Sequence, residues 1–356
     1  LQLSTLEWTV RAGTSEPGWA QVPESVRARV QAGFPATVPG CVHTDLMAAG
    51  LLADPYHGVA ERDQDWVGEQ TWIYTCVFGL GDDSAEIAAD NVDLECEGLD
   101  TVAEVLVNGL PVGRSVNMHR RNVFPIRALL RVGLNQLEVV FSPALVHIEQ
   151  QKHLLGERPH VERDDFNLIR KNACNFGWDW GPRLITAGIW RPISLRTWNH
   201  ARVLDVAVHG TASRHASGQW VGHLRVQAHL TGELRFAALT VKVTGRGASA
   251  SVGVPATDWT EADLDITGID PWWPHSMGGQ PLYDVEIVFH NDSAVLDRVH
   301  RRTGFRSVAL DTTPDADGGG ATFGLVINGE QVFVRGANWI PDDCFVSRVT
   351  PQRYRE

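Results

Sequence analysis

At 356 residues the chain is long enough for two or three domains, and its 43% hydrophobic and 21% charged content can build sizeable cores. Its 31 basic and 43 acidic side chains leave a formal net charge of −12, which argues against nucleic acid or an anionic membrane as partner, since both call for basic patches. This balance suits an uncharged ligand, and 13 tryptophans can serve both sandwich cores and aromatic platforms.

Residues 1 to 64 read as largely irregular. Pro39-Gly40 marks a turn, and Thr44 can cap a short helix over Asp45–Gly50. Trp72–Phe78, rich in β-branched and aromatic residues, is a buried strand, and Asp93–Glu97 alternates as a half-exposed one. Asn108-Gly109 between Ala103–Val107 and Leu110–Val112 signals a hairpin, because Asn-Gly supplies the positive φ angles of a primed turn. Asn135–Phe141 is a further strand. Short strands at this spacing indicate a β-sandwich. Val146–Leu155 predicts a short helix, followed by a polar run over 156–165 that is long for a loop in a compact domain.

That run leads into Asn175–Pro192, where Trp178, Asp179 and Trp180 lie between Gly177 and Gly181-Pro182. The glycines and the proline predict a bent loop. An aspartate between two indoles suits a sugar: aromatic faces stack on the apolar face of a pyranose, and a carboxylate accepts hydrogen bonds from hydroxyls. The alternative is a packed tryptophan corner in which Asp179 caps a turn. Ile189–Arg196 resumes as a strand, and Thr197-Trp198-Asn199 reads as a boundary.

A second β unit follows from about residue 200. Leu224–Leu230, Leu239–Val243 and Val285–Ile287 alternate strictly, as in an antiparallel sandwich with one wet face. Trp272-Trp273-Pro274 reads as a loop plug. From about 305 a third unit opens: a strand at Val308–Leu310, a hairpin signal at Asn328-Gly329, a strand at Gln331–Val334, a polar loop, and a helix start at Thr350-Pro351. A strand, a loop and a helix start resemble the first βα unit of a barrel, so the chain is expected to be cut rather than complete.

Cys41, Cys76, Cys96, Cys174 and Cys344 are scattered without metal-ligand spacing, so neither a metal nor any other cofactor is expected, and all five should be free and mostly buried. No apolar run of about eighteen residues predicts a membrane span. The first residues lack the basic and apolar regions of a signal peptide, and free thiols without a signal point to the cytoplasm.

The order Val38–Val42, Asp54-Pro55-Tyr56, Trp66–Glu69, Gly98–Thr101, Asn117–His119, Phe176–Arg183, Gly188–Pro192, Trp272–Pro274, Gln280–Tyr283 and Arg335–Pro341 resembles glycoside hydrolase family 2, and within it the β-mannosidases. The resemblance covers nearly the whole chain, and its most specific part is Phe176-Gly-Trp-Asp-Trp-Gly-Pro182. One departure is Val59-Ala60-Glu61, where the family commonly carries an Asn-Glu pair.

The resemblance implies a mainly β chain: a jelly-roll β-sandwich over 1–198, an immunoglobulin-like β-sandwich over 199–305, and the truncated start of a catalytic (β/α)8 barrel over 306–356. It implies a retaining exo-β-mannosidase acting on terminal β-mannosides. Its two catalytic glutamates, about 5–5.5 Å apart in such enzymes, are expected beyond Glu356, so no residue of this chain is assigned a catalytic role. Substrate contacts are expected from Trp178 and Asp179, and from Asn338, Trp339, Asp342 and Asp343 after the first barrel strand. Two other readings are a non-catalytic carbohydrate-binding protein and a β-galactosidase or β-glucuronidase of the same family.

Overall fold

The structure, a computed structural model, describes residues 1–14, 18–160 and 163–356; Val161 and Glu162 of the polar run lie outside them. The chain is mainly β and divides into two compact units, Leu1–Thr197 with Trp339–Glu356, and Trp198–Asn338.

In the first unit a six-stranded antiparallel sheet runs in the order Phe34–Ala36, Trp8–Ala12, Trp72–Leu80, Gly133–Phe141, Val102–Val107, Leu110–Val116. A three-stranded sheet carries Ile193–Trp198, Asn91–Cys96 and Asn122–Pro125. Side chains of both sheets, among them Trp72, Tyr74, Leu94, Val105, Val139 and Phe141, share one buried core. The strand expected at Trp72–Phe78 forms over Trp72–Leu80, but only alternate residues are buried, since one face of the sheet packs on the core. The Asn108-Gly109 hairpin forms with both residues at positive φ, 52° and 80°.

The first 64 residues are not irregular, contrary to expectation: Trp8–Ala12 is a strand with alternate residues buried, and Glu24–Ala32 is a helix that starts after Pro23. The helix expected at Asp45–Gly50 spans Val42–Ala48, because the cap is Cys41 and Thr44 closes the first turn, its Oγ1 donating to the Cys41 carbonyl at 2.7 Å. The helix after Pro143 spans Ala144–Leu155 and stops at Gly156, which takes φ 74°.

In the second unit a three-stranded sheet, Ala201–Arg214, Trp220–Gly232 and Trp259–Thr267, shares a core with a four-stranded sheet of Ala248–Pro255, Ala238–Gly245, Tyr283–His290 and Val295–Thr303. Leu224, Val226, Val241, Ile287, Phe289 and Phe305 are fully buried between them. A small antiparallel sheet, Val308–Asp311, Gly324–Ile327 and Glu330–Val332, follows. Its Asn328-Gly329 turn again has positive φ at both residues. The strand expected at Gln331–Val334 ends at Val332, whose pairing with Leu325 is the last of the hairpin ladder. Instead of the helix announced at Pro351 there is a turn and one 3-10 turn, Arg353–Arg355, as befits a segment far below the about 12–15 residues an isolated helix needs.

Candidate functional site

Asn175–Arg183 is a two-stranded hairpin rather than a loop. Phe176–Trp178 pairs antiparallel with Gly181–Arg183, and Asp179-Trp180 forms the tip. Gly177 takes φ 92°, and a Cβ there would lie 3.2 Å from the Arg183 Cβ, so glycine lets the two strands close. Chain pairing therefore overrides the local signal of the flanking glycines.

The base of the hairpin is fastened on three sides. Phe176 is buried and stacks on Phe166, with ring centroids 6.1 Å apart. The Arg183 guanidinium donates to the Asp164 carboxylate at 2.7 and 3.1 Å and to Asp65 Oδ1 at 2.7 Å, a bidentate fork plus a third bond. The segments on either side of the hairpin meet at Lys171, whose Nζ donates to Asp100 Oδ2 at 2.6 Å and to the Thr186 Oγ1 and carbonyl at 2.9 Å, all buried. A buried ammonium and carboxylate stay charged only when paired and hydrogen-bonded in this way.

The tip is open. Trp178 and Trp180 are 41% and 38% exposed, and their rings lie 6.5 Å apart at 35°. Asp179 is exposed, and among the described residues its carboxylate has no hydrogen bond or ion pair. The turn-capping role considered for Asp179 is thus absent. Two tilted indoles flank a carboxylate whose lone pairs face solvent, an arrangement that can stack on a sugar face and accept from its hydroxyls.

The segment after Trp339 packs in the same unit. Asn175 Nδ2, at the foot of the hairpin, donates to the Cys344 carbonyl at 3.2 Å, and the Cys344 amide donates to the Tyr56 hydroxyl at 3.1 Å. Phe345 is buried beside Leu184, Cys41 and the ring of His43, 5.7 Å away. Desolvation of its hydroxyl beside Cys344 pushes the otherwise half-exposed Tyr56 phenol up, and burial with the nearby charge of Lys171 lowers His43 to about 3. Among the described residues neither ring nitrogen of His43 has a partner, although the side chain is fully buried.

The other four predicted contact residues have surroundings of their own. Trp339 is 76% exposed, with its ring 6.4 Å from Tyr354. Asp342 Oδ2 accepts from Arg353 Nε at 2.8 Å. Asp343 accepts from the Phe345 amide at 2.9 Å and pairs with the Arg348 guanidinium. Their carboxylates are engaged in local ion pairs. Asn338 is exposed and belongs to the second unit. The positioning residues Asp65, Asp164, Asn175 and Lys171 carry no local sequence signal, because they act across 15 to 169 residues and only the chain path brings them together. A groove of about 800 Å³ in the first unit, along Leu145, Val146, His153 and Leu154, contains none of the predicted residues. Among the described residues no group of His, Cys, Asp and Glu has metal-binding geometry.

The chain is similar to known proteins along most of its length. Residues 8–191 match the galactose-binding-like domain of glycosyl hydrolase 2, and residues 205–306 match glycosyl hydrolases family 2. A β-mannosidase B of Aspergillus fumigatus is 33% identical over 360 aligned residues, covering 98% of this chain and 40% of the relative. A β-mannosidase of goat, Capra hircus, is 31% identical and covers 90% and 38%. The crystal structure of a β-D-mannosidase from Dictyoglomus thermophilum superimposes with TM-score 0.84 at 30% identity, covering this whole chain and 42% of that one. An exo-chitosanase from Amycolatopsis orientalis, at 20% identity and TM-score 0.66, shares the fold. The chain spans about two fifths of the length of the curated relatives it matches. With one family model covering more than half of its 356 residues, and with β-mannosidases among its relatives and structural neighbours, the chain belongs to glycosyl hydrolase family 2 and is β-mannosidase-like within it.

Proposed function

We propose that the chain is the N-terminal portion of a retaining exo-β-mannosidase and supplies part of its substrate recognition. The observation that carries this reading is the unpaired Asp179 carboxylate between two exposed indoles on a firmly anchored hairpin. An exo-acting glycosidase needs such a group: it must stack on one terminal sugar and bind its outer hydroxyls, leaving the glycosidic bond to the catalytic pair. Identity of 31–33% to β-mannosidases supports the choice of sugar.

In this reading Trp178 and Asp179 contact the terminal mannosyl unit. Asn338, Trp339 and Asp342 add contacts from the following loop, where Asp342 keeps one carboxylate oxygen without a partner among the described residues, and Asp343 holds that loop through Arg348. The domains are a jelly roll over 1–198, an immunoglobulin-like sandwich over 199–305 and the opening of a (β/α)8 barrel over 306–356. The catalytic glutamates lie beyond Glu356, one acting as nucleophile and the other as acid and then base, about 5–5.5 Å apart. The five free, buried thiols support a reducing, cytoplasmic location, which recovery of the protein from an oxidising compartment would overturn.

The test is Asp179→Ala in the full-length enzyme with an aryl β-mannoside. Hydrogen bonds to a charged acceptor contribute about 1.5–3 kcal/mol each, so kcat/KM should fall by roughly ten- to a hundredfold with an unchanged melting temperature. A fall of less than about threefold would remove Asp179 from the site.

A further inference from the structure

A second cluster of sugar-like character lies in the other unit, on the outward face of the sheet Ala201–Arg214, Trp220–Gly232, Trp259–Thr267. Strand register places Asp205, His229 and Trp259 side by side in one row, and Ala207, Gln227 and Glu261 in the next. Alternate residues of these strands point into the core, which leaves this row set on the wet face. The His229 imidazole lies flat on the Trp259 indole, with centroids 4.2 Å apart and planes at 4°. One face of the indole is thereby covered and held, yet the residue remains 69% exposed. Beside it is a hollow of about 150 Å³ lined by Asp205, Gln227, His229, Trp259, Thr260 and Glu261.

The polar side chains of this face hold one another. Gln227 Nε2 donates to Glu261 Oε1 at 2.6 Å, Arg225 Nε donates to Asp263 Oδ1 at 2.8 Å, and His223 Nδ1 lies 2.6 Å from Asp265 Oδ1. Each of these three carboxylates faces an amide, a guanidinium or an imidazole. The strip therefore lacks the uncompensated basic charge that nucleic acid or phosphate calls for. It also lacks the continuous apolar core of a protein interface, since Trp259 stands among polar neighbours. What it offers is one rigid, half-open indole, then planar donors and acceptors already fixed in place, so that a ligand has little side-chain entropy to remove.

We propose that this face is a carbohydrate-binding subsite for a linear, uncharged oligosaccharide, separate from the tryptophan hairpin and independent of the assignment of that hairpin. Trp259 stacks on one sugar ring, Gln227 and Glu261 exchange hydrogen bonds with its hydroxyls, and the following rows accept the next unit along the chain. The proposal assigns this face binding and no cleavage, with Glu261, Asp263 and Asp265 engaged by Gln227, Arg225 and His223. Its role is to retain a polymer.

The experiment is affinity electrophoresis of the full-length protein through gels containing soluble β-1,4-mannan, with β-1,4-mannohexaose as competitor. Trp259→Ala should weaken retardation at least tenfold, Trp259→Phe should keep part of it, and Gln227→Ala should weaken it with the indole in place. Asp179→Ala should leave the retardation standing. Equal retardation of wild type and Trp259→Ala would overturn the proposal. Loss of retardation in Asp179→Ala alone would also overturn it, assigning all binding to the hairpin and leaving that reading intact. The melting temperature of Trp259→Ala keeps the test interpretable: a variant that folds and is retarded as strongly as wild type refutes the subsite directly.

Discussion

Asp179 and His43 show how single residues separate function from packing in this chain. The exposed Asp179 side chain holds nothing among the described residues, so its removal should cost activity and no stability. His43 is the reverse. Its ring is fully buried against Phe345 with both nitrogens unpartnered among the described residues, and burial together with the Lys171 charge keeps it neutral down to about pH 3. In the unfolded chain it would protonate near its ordinary value of 6.5. A folded-state pKa below the unfolded one means that the unfolded chain takes up the proton first. Stability therefore falls as pH drops from 6.5 towards 3, by about 1.4 kcal/mol for each pH unit crossed. His43→Leu forfeits no hydrogen bond. Relative to wild type it should gain stability steadily on acidification from pH 7 to 4, as followed by urea unfolding at each pH. A parallel pair of profiles would show that His43 is protonated in the native state. Asp45 slopes the other way, since burial raises it to about 6, and comparing variant with wild type removes its contribution.

At the scale of elements, the hairpin depends on one backbone position. Gly177 at φ 92° must allow Trp178 to pair with Gly181 while Arg183 packs close behind it. A methyl group there meets the Arg183 Cβ and occupies a left-handed conformation, which costs about 1–2 kcal/mol locally. Gly177→Ala should therefore lower kcat/KM of the full-length enzyme several-fold by tilting Trp178 and Asp179, with a smaller effect on the melting temperature than on activity. An effect on stability alone would show that the hairpin geometry does not position substrate. The segment after Val332 is the opposite case. Phe333 and Val334 are 85% and 61% exposed and outside any strand, whereas Leu224–Leu230 lies between two hydrogen-bonded neighbours. Amides of Phe333–Arg335 should exchange orders of magnitude faster than those of Leu224–Leu230 in the monomeric chain. Equal protection would reveal a partner strand formed in solution.

For the molecule as a whole, each of the two units has a main hydrophobic core of its own, and the proposed placement of the catalytic glutamates beyond Glu356 has a direct consequence for the chain by itself. Purified alone, the 356-residue chain should give no turnover of an aryl β-mannoside above the buffer rate, while the full-length enzyme does. Turnover by the isolated chain would refute the placement of the glutamates beyond Glu356. Much of the architecture was legible in the residues themselves. β-Branched and aromatic content marked the strand over Trp72–Phe78, strict alternation marked that over Leu224–Leu230, and two Asn-Gly pairs marked tight turns, because these features follow from side-chain period and local φ preference. The family was legible because its glycine, proline and tryptophan strings keep their order. Tertiary structure alone decided the rest. Pairing of Phe176 with Arg183 turned an expected loop into a hairpin, and Arg183 met Asp65 across 118 residues to hold it. Arg348 and Arg353 claimed Asp343 and Asp342, and two strands brought His229 onto Trp259. Local sequence encodes period and turn chemistry, but which charge finds which partner depends on the path of the chain through space.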